Sequence, residues 1–504
     1  MIKILIKNSS SNVMIVLIKM GIAFFMSPII VKALGNHDYG IWEMIISVIG
    51  YMGILDLGMT PAIVRYVARY NALDDNISLN KLYSTSLFFL GFIGIMSLFV
   101  FIFWAGVKPE ILAENSSDSV RYSYMLVILG IQLLIKFPGL VAECFHIGFQ
   151  RYNLRNNINI SLTIISSLVL IKFLLNGYGL ITLALISTLE TFSKFIVYII
   201  LLSFKKYNNI VFKIKYISLK FLIDPLKFGY KSLINYISGI LSISSDAIVI
   251  GVILGPISVT YYSIPAKLIL ILSGLLGAVT LSFMPFFSDL DARGNKAKAV
   301  QTMIIASKFV SGLMVPVLIV TCFLGIPFIK LWMGQEYAEN GRLVLYILAG
   351  SFILNFVNPF HNHFLTGFGL HGLLARLNIY GAIVNIILSI AFVKHIGKEG
   401  AALGTLIASI IFSPIILSYT CKCLDITIWK YVKNVITILV IPNILLVVLL
   451  WAIGLNVDVN SYLKIIMIGV VSMSLYCIMF LTISLEKDER VYILSRIQWH
   501  DICK

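Results

Sequence analysis

The chain of 504 residues is 59% hydrophobic and 12% charged, with a formal net charge of +16 and a mean hydropathy of +0.96. Soluble domains carry about 25% charged residues, so this chain lacks the charge needed to cover a water-facing surface. Twenty-residue apolar stretches recur from end to end without a ten-residue alternating pattern, which excludes a transmembrane β-barrel and leaves an all-α membrane bundle.

Lys3 and Lys7 precede an apolar run that is too long for a cleaved signal and contains Lys19, so it reads as an uncleaved first helix over 12–34. Further spans are expected over 40–62, 83–106, 122–146, 157–175 and 180–203, which closes a first six-helix lobe at 1–203. In the basic stretch 204–228, Lys205, Lys206, Lys213, Lys215, Lys220 and Lys227 alternate with Ile214, Ile217, Phe221 and Leu222. That pattern suits a surface helix on the cytoplasmic leaflet, with a flexible basic linker as the alternative. A second lobe, 229–420, is expected as spans over 229–254, 258–286, 303–328, 342–365, 373–393 and 400–420. Two extra helices over 431–453 and 462–484 and a cytoplasmic tail fill 421–504, giving about 14 spans in all.

With the N-terminus inside, the non-cytoplasmic segments hold only Lys108, Arg121, Lys330, Arg342, Lys394, Lys398 and Lys464 of the 39 basic residues. Most of the rest fall on the cytoplasmic side, as the positive-inside rule requires, so both termini are expected in the cytoplasm. Nucleic acid is not needed to explain the charge. A long-range repeat is visible too. Leu34-Gly35 recurs as Leu254-Gly255, Gly148-Phe149 as Gly367-Phe368, and Gly179 as Gly400. Six helices per copy keep the copies parallel, a transporter design with the substrate path between the halves.

Catalytic signatures are absent. There is no P-loop, no H-E-x-x-H and no G-x-S-x-G, so neither an enzyme activity nor a cofactor is expected. The G-x-G-x-x-G at Gly367, Gly369 and Gly372 sits in a turn between helices instead of after a strand. His361 and His363, two apart on a helix, point away from each other and make a poor metal pair. Cys421 and Cys423 read as small apolar filler.

The informative residues are charges embedded in spans, each costing about 2.5–3.5 kcal/mol at mid-membrane unless it meets a cavity or a partner. Lys32, Glu43, Lys172, Lys231 and Lys308 lie near span ends and can snorkel. Lys19, Asp56, Lys136, Glu143, Glu190, Lys194, Asp246 and Lys267 lie deeper. Glu190 and Lys194 are spaced i,i+4 with the acid first, the favourable order for an ion pair. Lys136 and Glu143 share a helix face, with Pro138 between them. Static pairing that pins the bundle competes with a polar path between the halves.

These patterns resemble the polysaccharide transporter branch of the multidrug/oligosaccharidyl-lipid/polysaccharide exporter superfamily, and within it the O-antigen and capsule repeat-unit flippases. The carrying residues are Leu34-Gly35, Tyr39-Gly40-x-Trp42, Asp56-Leu57-Gly58-Met59, Gly148-x-Gln150-Arg151-Tyr152 and Gly397-x2-Gly400-Ala401-Ala402. The resemblance implies two six-helix lobes around a central cavity in the bacterial inner membrane, opening alternately to each side. It implies an undecaprenyl-pyrophosphate-linked oligosaccharide as substrate, with a polysaccharide polymerase and a chain-length regulator as partners. Lys19, Lys136, Lys194, Lys267 and Glu190 would line the cavity, and Asp56, Glu143 and Asp246 are candidates for ion coupling. Lipid II flippases resemble this pattern as well, but carry arginines in the first helix where this chain has only Lys19. A multidrug cation antiporter calls for an acidic cavity, and a membrane glycosyltransferase for a large extramembrane loop.

Overall fold

The computed structural model describes residues 2–107, 116–204, 210–281, 283–355, 358–368, 370–485 and 489–490. Lys205, Lys206, Gly369 and the tail beyond residue 490 lie outside them. The helices run α1 (Ile2–Met52), α2 (Met59–Ala72), α3 (Asn76–Val107), α4 (Ser116–Gly148), α5 (Tyr152–Leu175), α6 (Leu180–Ser203) and α7 (Lys220–Leu254). They continue as α8 (Pro256–Leu281), α9 (Phe283–Ala292), α10 (Lys296–Trp332), α11 (Gln335–Asn355), α12 (Asn358–Gly367), α13 (His371–Ile396) and α14 (Glu399–Cys423). The short α15 (Ile428–Tyr431) then leads to α16 (Ile438–Asn456) and α17 (Tyr462–Met479).

Among the described residues, 13 helical segments are long and apolar enough to cross a membrane. The first, Met14–Asp56, has 43 residues, which at about 1.5 Å per residue is twice the hydrocarbon thickness. Gly35 (φ 76°, ψ 170°) breaks it, so this segment supplies two crossings. Side chains that a soluble protein would hide face outward: Phe88, Phe92, Phe99 and Phe103 on α3, and Ile441, Ile444, Val448 and Trp451 on α16. Hydrocarbon is the solvent these faces are made for.

The second span ends earlier than the apolar run suggests. A 3-10 turn at Gly53–Asp56 is followed by Leu57 (φ 52°) and Gly58 (φ 74°), and α2 starts afresh at Met59. Glycine is required at position 58 twice over: its φ is left-handed, and a Cβ there would stand 2.2 Å from the Gly229 carbonyl oxygen of α7. The basic stretch is not one surface helix. Residues 210–219 are irregular, with a single 3-10 turn at Ile214–Tyr216, and helix begins only at Lys220.

The described residues form two compact units, one up to Thr260 and one from Tyr261 on. In the first, α3 packs on α4, α4 on α6, α5 on α1 and α6, and α7 on α1 and α2. In the second, α13 packs on α14, α11 on α10 and α14, and α9 on α12, while α16 and α17 lie against α10. Gly312 on α10 leaves the room that the Phe480 ring fills, and Phe480 shares a core cluster with Leu439, Leu446 and Tyr476.

The order of elements recurs. Gly35 and Gly255 (φ 86°, ψ 168°) have the same backbone conformation, and so do Gly177 (φ 83°) and Gly397 (φ 84°) in their positive φ. The spans starting at Asn76, Tyr152 and Leu180 have counterparts starting at Lys296, His371 and Glu399, each 219 or 220 residues later.

Candidate functional site

The deep charges of the first unit gather where α1, α4, α5 and α6 meet. Glu190 on α6 accepts hydrogen bonds from Thr163 Oγ1 (2.8 Å) and Ser166 Oγ (2.6 Å) on α5, and pairs with Lys194 one turn along its own helix. Lys194 Nζ also reaches Thr163 Oγ1 at 3.3 Å. One helical turn spaces Arg155, Asn159 and Thr163 along one face of α5. Arg155 grips Glu143 of α4 with Nε and Nη2, each 2.6 Å from Oε1, and Asn159 Nδ2 lies 3.5 Å from the same oxygen. Tyr198 of α6 donates its hydroxyl to the Arg155 carbonyl at 3.3 Å, and its own carbonyl lies 3.2 Å from His146 Nε2.

Lys19, exposed on α1, lies within electrostatic range of Lys194, Arg155, Glu143 and Glu190. The network thus holds three cations against two carboxylates and carries an excess of one positive charge. It is not sealed: the Glu190 and Lys194 side chains are 20% and 21% exposed. Pre-paired charges that remain reachable can exchange partners with an incoming anion without first being stripped of water.

A second polar feature lies in the same unit. A cavity of about 330 Å³ is lined by the Asp56 turn, by Thr60 and Pro61 of α2, by Lys136, Phe137 and Leu140 of α4, and by Leu233 and Tyr236 of α7. Each Asp56 carboxylate oxygen is occupied, one by the Gly58 N–H (2.7 Å) and one by Thr60 Oγ1 (2.6 Å). Asp56 therefore shapes the break between the second span and α2. Lys136 lines this cavity with no ion-pair or hydrogen-bond partner among the described residues.

Of the residues expected to act together, Lys19, Glu143, Glu190 and Lys194 form one network, and Asp56 and Lys136 share the cavity. Glu143 takes Arg155 as its partner instead of Lys136. Asp246 is buried on α7 next to Ser245, whose hydroxyl donates to the Leu241 carbonyl (2.6 Å). Lys267 lies half-buried on α8 in the second unit. Arg155 lies just ahead of the expected fifth span at 157–175 and so is not among the embedded charges read from the sequence, although the helical spacing of Arg155, Asn159 and Thr163 is a readable signal. The sequence also places Lys308 among the snorkelling lysines. Its side chain is 6% exposed, with Nζ 2.7 Å from both oxygens of Glu489.

No group of three or more metal-ligating side chains occurs among the described residues. His361 is buried with Nε2 3.0 Å from the Tyr431 hydroxyl.

The family described as "Polysaccharide biosynthesis protein" matches residues 5–291, more than half of the chain. A Shigella flexneri protein named "Putative O-antigen transporter" is 22% identical over 79% of this chain and 93% of its own length. The Bacillus subtilis (strain 168) "Uncharacterized membrane protein EpsK" is 23% identical over 97% of both chains. Among solved structures, the lipid II flippase MurJ in an inward closed conformation superposes with a TM-score of 0.72 at 14% identity, over 94% of this chain and 98% of its own. An inward-facing multidrug resistance transporter of the MATE family and MOP superfamily gives 0.64 at 16% identity, over 82% and 95%. The fold is that of these membrane transporters.

Proposed function

Because the chain belongs to the polysaccharide biosynthesis protein family, we propose that it carries an undecaprenyl-pyrophosphate-linked oligosaccharide repeat unit across the inner membrane, for O-antigen, capsule or exopolysaccharide synthesis. The observation that carries this reading is the reachable, net-positive network of Lys19, Arg155, Lys194, Glu143 and Glu190 within apolar helices. Sugars and a pyrophosphate cannot cross bare hydrocarbon, since each unpaired polar group costs several kcal/mol. Lysine ammoniums and an arginine fork offer the phosphate oxygens new partners, and the two glutamates with Thr163, Ser166 and Asn159 offer acceptors and donors to sugar hydroxyls. The lipid tail stays in the bilayer throughout.

The transport cycle is alternating access between two parallel six-helix lobes, 1–203 and 229–420, joined by 204–228, with 421–504 adding two helices and a tail and both termini in the cytoplasm. The recurrence of spans 219 or 220 residues apart and the matched conformations of Gly35 and Gly255 support the repeat. Lys136 and Lys267 complete the cationic lining, and Asp56, Glu143 and Asp246 are the groups through which an ion gradient would act.

The test is deletion of the gene followed by extraction and mass analysis of undecaprenyl-linked glycans. Accumulation of one lipid-linked repeat unit on the cytoplasmic side is the expected outcome. The fold likeness to MurJ supports a second reading, lipid II transport, which predicts accumulation of the peptidoglycan precursor instead. An unchanged lipid pool together with altered resistance to cationic drugs contradicts both and favours an antiporter.

A further inference from the structure

Ahead of α7, residues 210–219 do not hang free. Residues 210–219 lie along α3 and are tied to it by side chains that accept backbone N–H groups. Asn80 Oδ1 takes the N–H of Val211 (2.8 Å), Ser84 Oγ that of Lys213 (3.1 Å) and Thr85 Oγ1 that of Ser218 (3.1 Å). Ser84 and Thr85 are buried, and Ile210 is buried with its N–H on the Leu202 carbonyl (3.1 Å). The backbone of this strap is therefore preformed, and a ligand that binds it need not order it.

The outward side of the strap is cationic and apolar at once. Ile214 is 77% exposed and Leu219 69%, with Phe212 also exposed, and they interleave with exposed Lys213, Lys215 and Lys220. Lys213 and Lys215 stand 5.6 and 5.7 Å from the Tyr216 ring centre, which gathers both ammoniums around one aromatic side chain. Lys81 of α3 lies 6.0 Å from the neighbouring Phe221 ring. No acidic residue occurs from Phe204 to Ile223, and Asp224 is the first. Isolated apolar side chains on a soluble surface need no explanation, but alternating with lysines at the mouth of membrane helices they match the boundary between headgroups and acyl chains.

We propose that the strap is a binding site for anionic phospholipid of the leaflet it faces, with Lys213, Lys215 and Lys220 on the phosphate and Phe212, Ile214 and Leu219 among the first acyl carbons. The site bears on transport because the strap runs directly into α7, whose Leu233 and Tyr236 line the cavity that contains Lys136. A phospholipid held here fixes the start of α7, so occupancy sets how readily that wall of the cavity moves. The binding claim stands apart from the identity of the transported molecule.

The experiment is native mass spectrometry of the full-length protein titrated with phosphatidylglycerol or phosphatidylcholine. Wild type, K213Q/K215Q/K220Q, N80A/S84A/T85V and the control K330Q/K394Q are compared, each with its unfolding midpoint measured. One juxtamembrane lysine strengthens association with an anionic surface by about fivefold. The triple glutamine variant is expected to lose at least tenfold of the preference for phosphatidylglycerol, with the control unchanged. The variant with the ties removed keeps every lysine and is expected to lose about threefold through disorder of the strap. Equal loss in the control would mean diffuse charge and would overturn the proposal. So would equal binding of the two lipids by wild type, or wild-type preference in the triple glutamine variant. If N80A/S84A/T85V unfolds, the triple glutamine variant decides alone, since its substitutions are all at exposed positions.

Discussion

The helix pairs α5–α6 and α13–α14 begin 219 residues apart at both of their helices and solve the same packing problem with different chemistry. Within the α13–α14 interface the bonded polar groups are uncharged, and Asn385, Ser389 and Ser413 are buried. Asn385 Nδ2 bonds Thr405 Oγ1 (2.9 Å), Ser389 Oγ bonds Asn385 Oδ1 (3.1 Å), and Ser413 Oγ bonds Asn355 Oδ1 on α11 (2.7 Å). Gly404 lies so close to Ser389 that a Cβ would stand 2.6 Å from its hydroxyl oxygen. This is the usual glue of membrane helices, small residues and uncharged hydrogen bonds. In α5–α6 the corresponding interface holds Glu190 and Lys194, a fifth exposed and within electrostatic range of Lys19 on α1. If packing were the only requirement, the neutral solution would suffice in both places. Under the proposed function, α13–α14 would be scaffold and α5–α6 would meet the substrate.

The buried Lys308–Glu489 pair of the second unit should matter to stability alone, and the largest effect tests that. Glu489→Ala strands the Lys308 ammonium and is expected to lower stability by about 3–5 kcal/mol, seen as a fall in the unfolding midpoint in detergent. The exchange K308E/E489K should recover most of the loss, and transport per folded molecule should stay at the wild-type level. Next, Ser409 of α14 is buried and accepts a hydrogen bond from Asn355 Nδ2 (2.5 Å), so Ser409→Glu inserts an unpaired charge into the neutral ladder and is expected to cost about 2.5–3.5 kcal/mol in the same assay. In the first unit the order of effects reverses. Glu190→Ala is expected to cost only about 1 kcal/mol, because its pair is partly solvated, while transport falls by tenfold or more. Asn385→Ala should cost about 0.6 kcal/mol and leave transport intact.

The smallest effect lies outside both helix pairs. Asp75 caps α3 by accepting the Ser78 N–H at 2.9 Å, and hydrogen bonds from the Ser78 side chain and backbone hold its carboxyl below the ordinary value of 3.8. A depressed pKa contributes stability that is complete above the ordinary value and is lost as pH falls through the lowered one. Asp75→Asn should match wild type at neutral pH and show a flatter decline of unfolding midpoint with acid.

The apolar runs made the membrane bundle legible, because length and hydropathy alone decide which segments can span hydrocarbon. The end of the second span was not legible. It depends on Leu57 in a left-handed conformation that leucine does not advertise, and on the close approach of Gly229. The Glu190–Lys194 pair could be read from its spacing, since both ends sit on one helix. Arg155 could not be paired with Glu143 the same way, because the turn at Gln150 (φ 59°) folds α5 back onto α4 between them. Lys308 finds its partner 181 residues away, and the strap is set by side chains of α3 about 130 residues earlier. Such contacts are properties of the packed chain and leave no periodic trace in the sequence.

Under the proposed function, the charged network of α5–α6 handles the substrate. It is tested most directly in cells that carry E190Q/K194M, which removes both charges together and keeps the bundle free of an orphan. Lipid-linked glycans are extracted from these cells and from cells carrying N385A/S409A. Accumulation of a lipid-linked repeat unit is expected in the first strain, at wild-type protein level, with a normal pool in the second. A normal pool in the first strain, or equal accumulation in both, would contradict it.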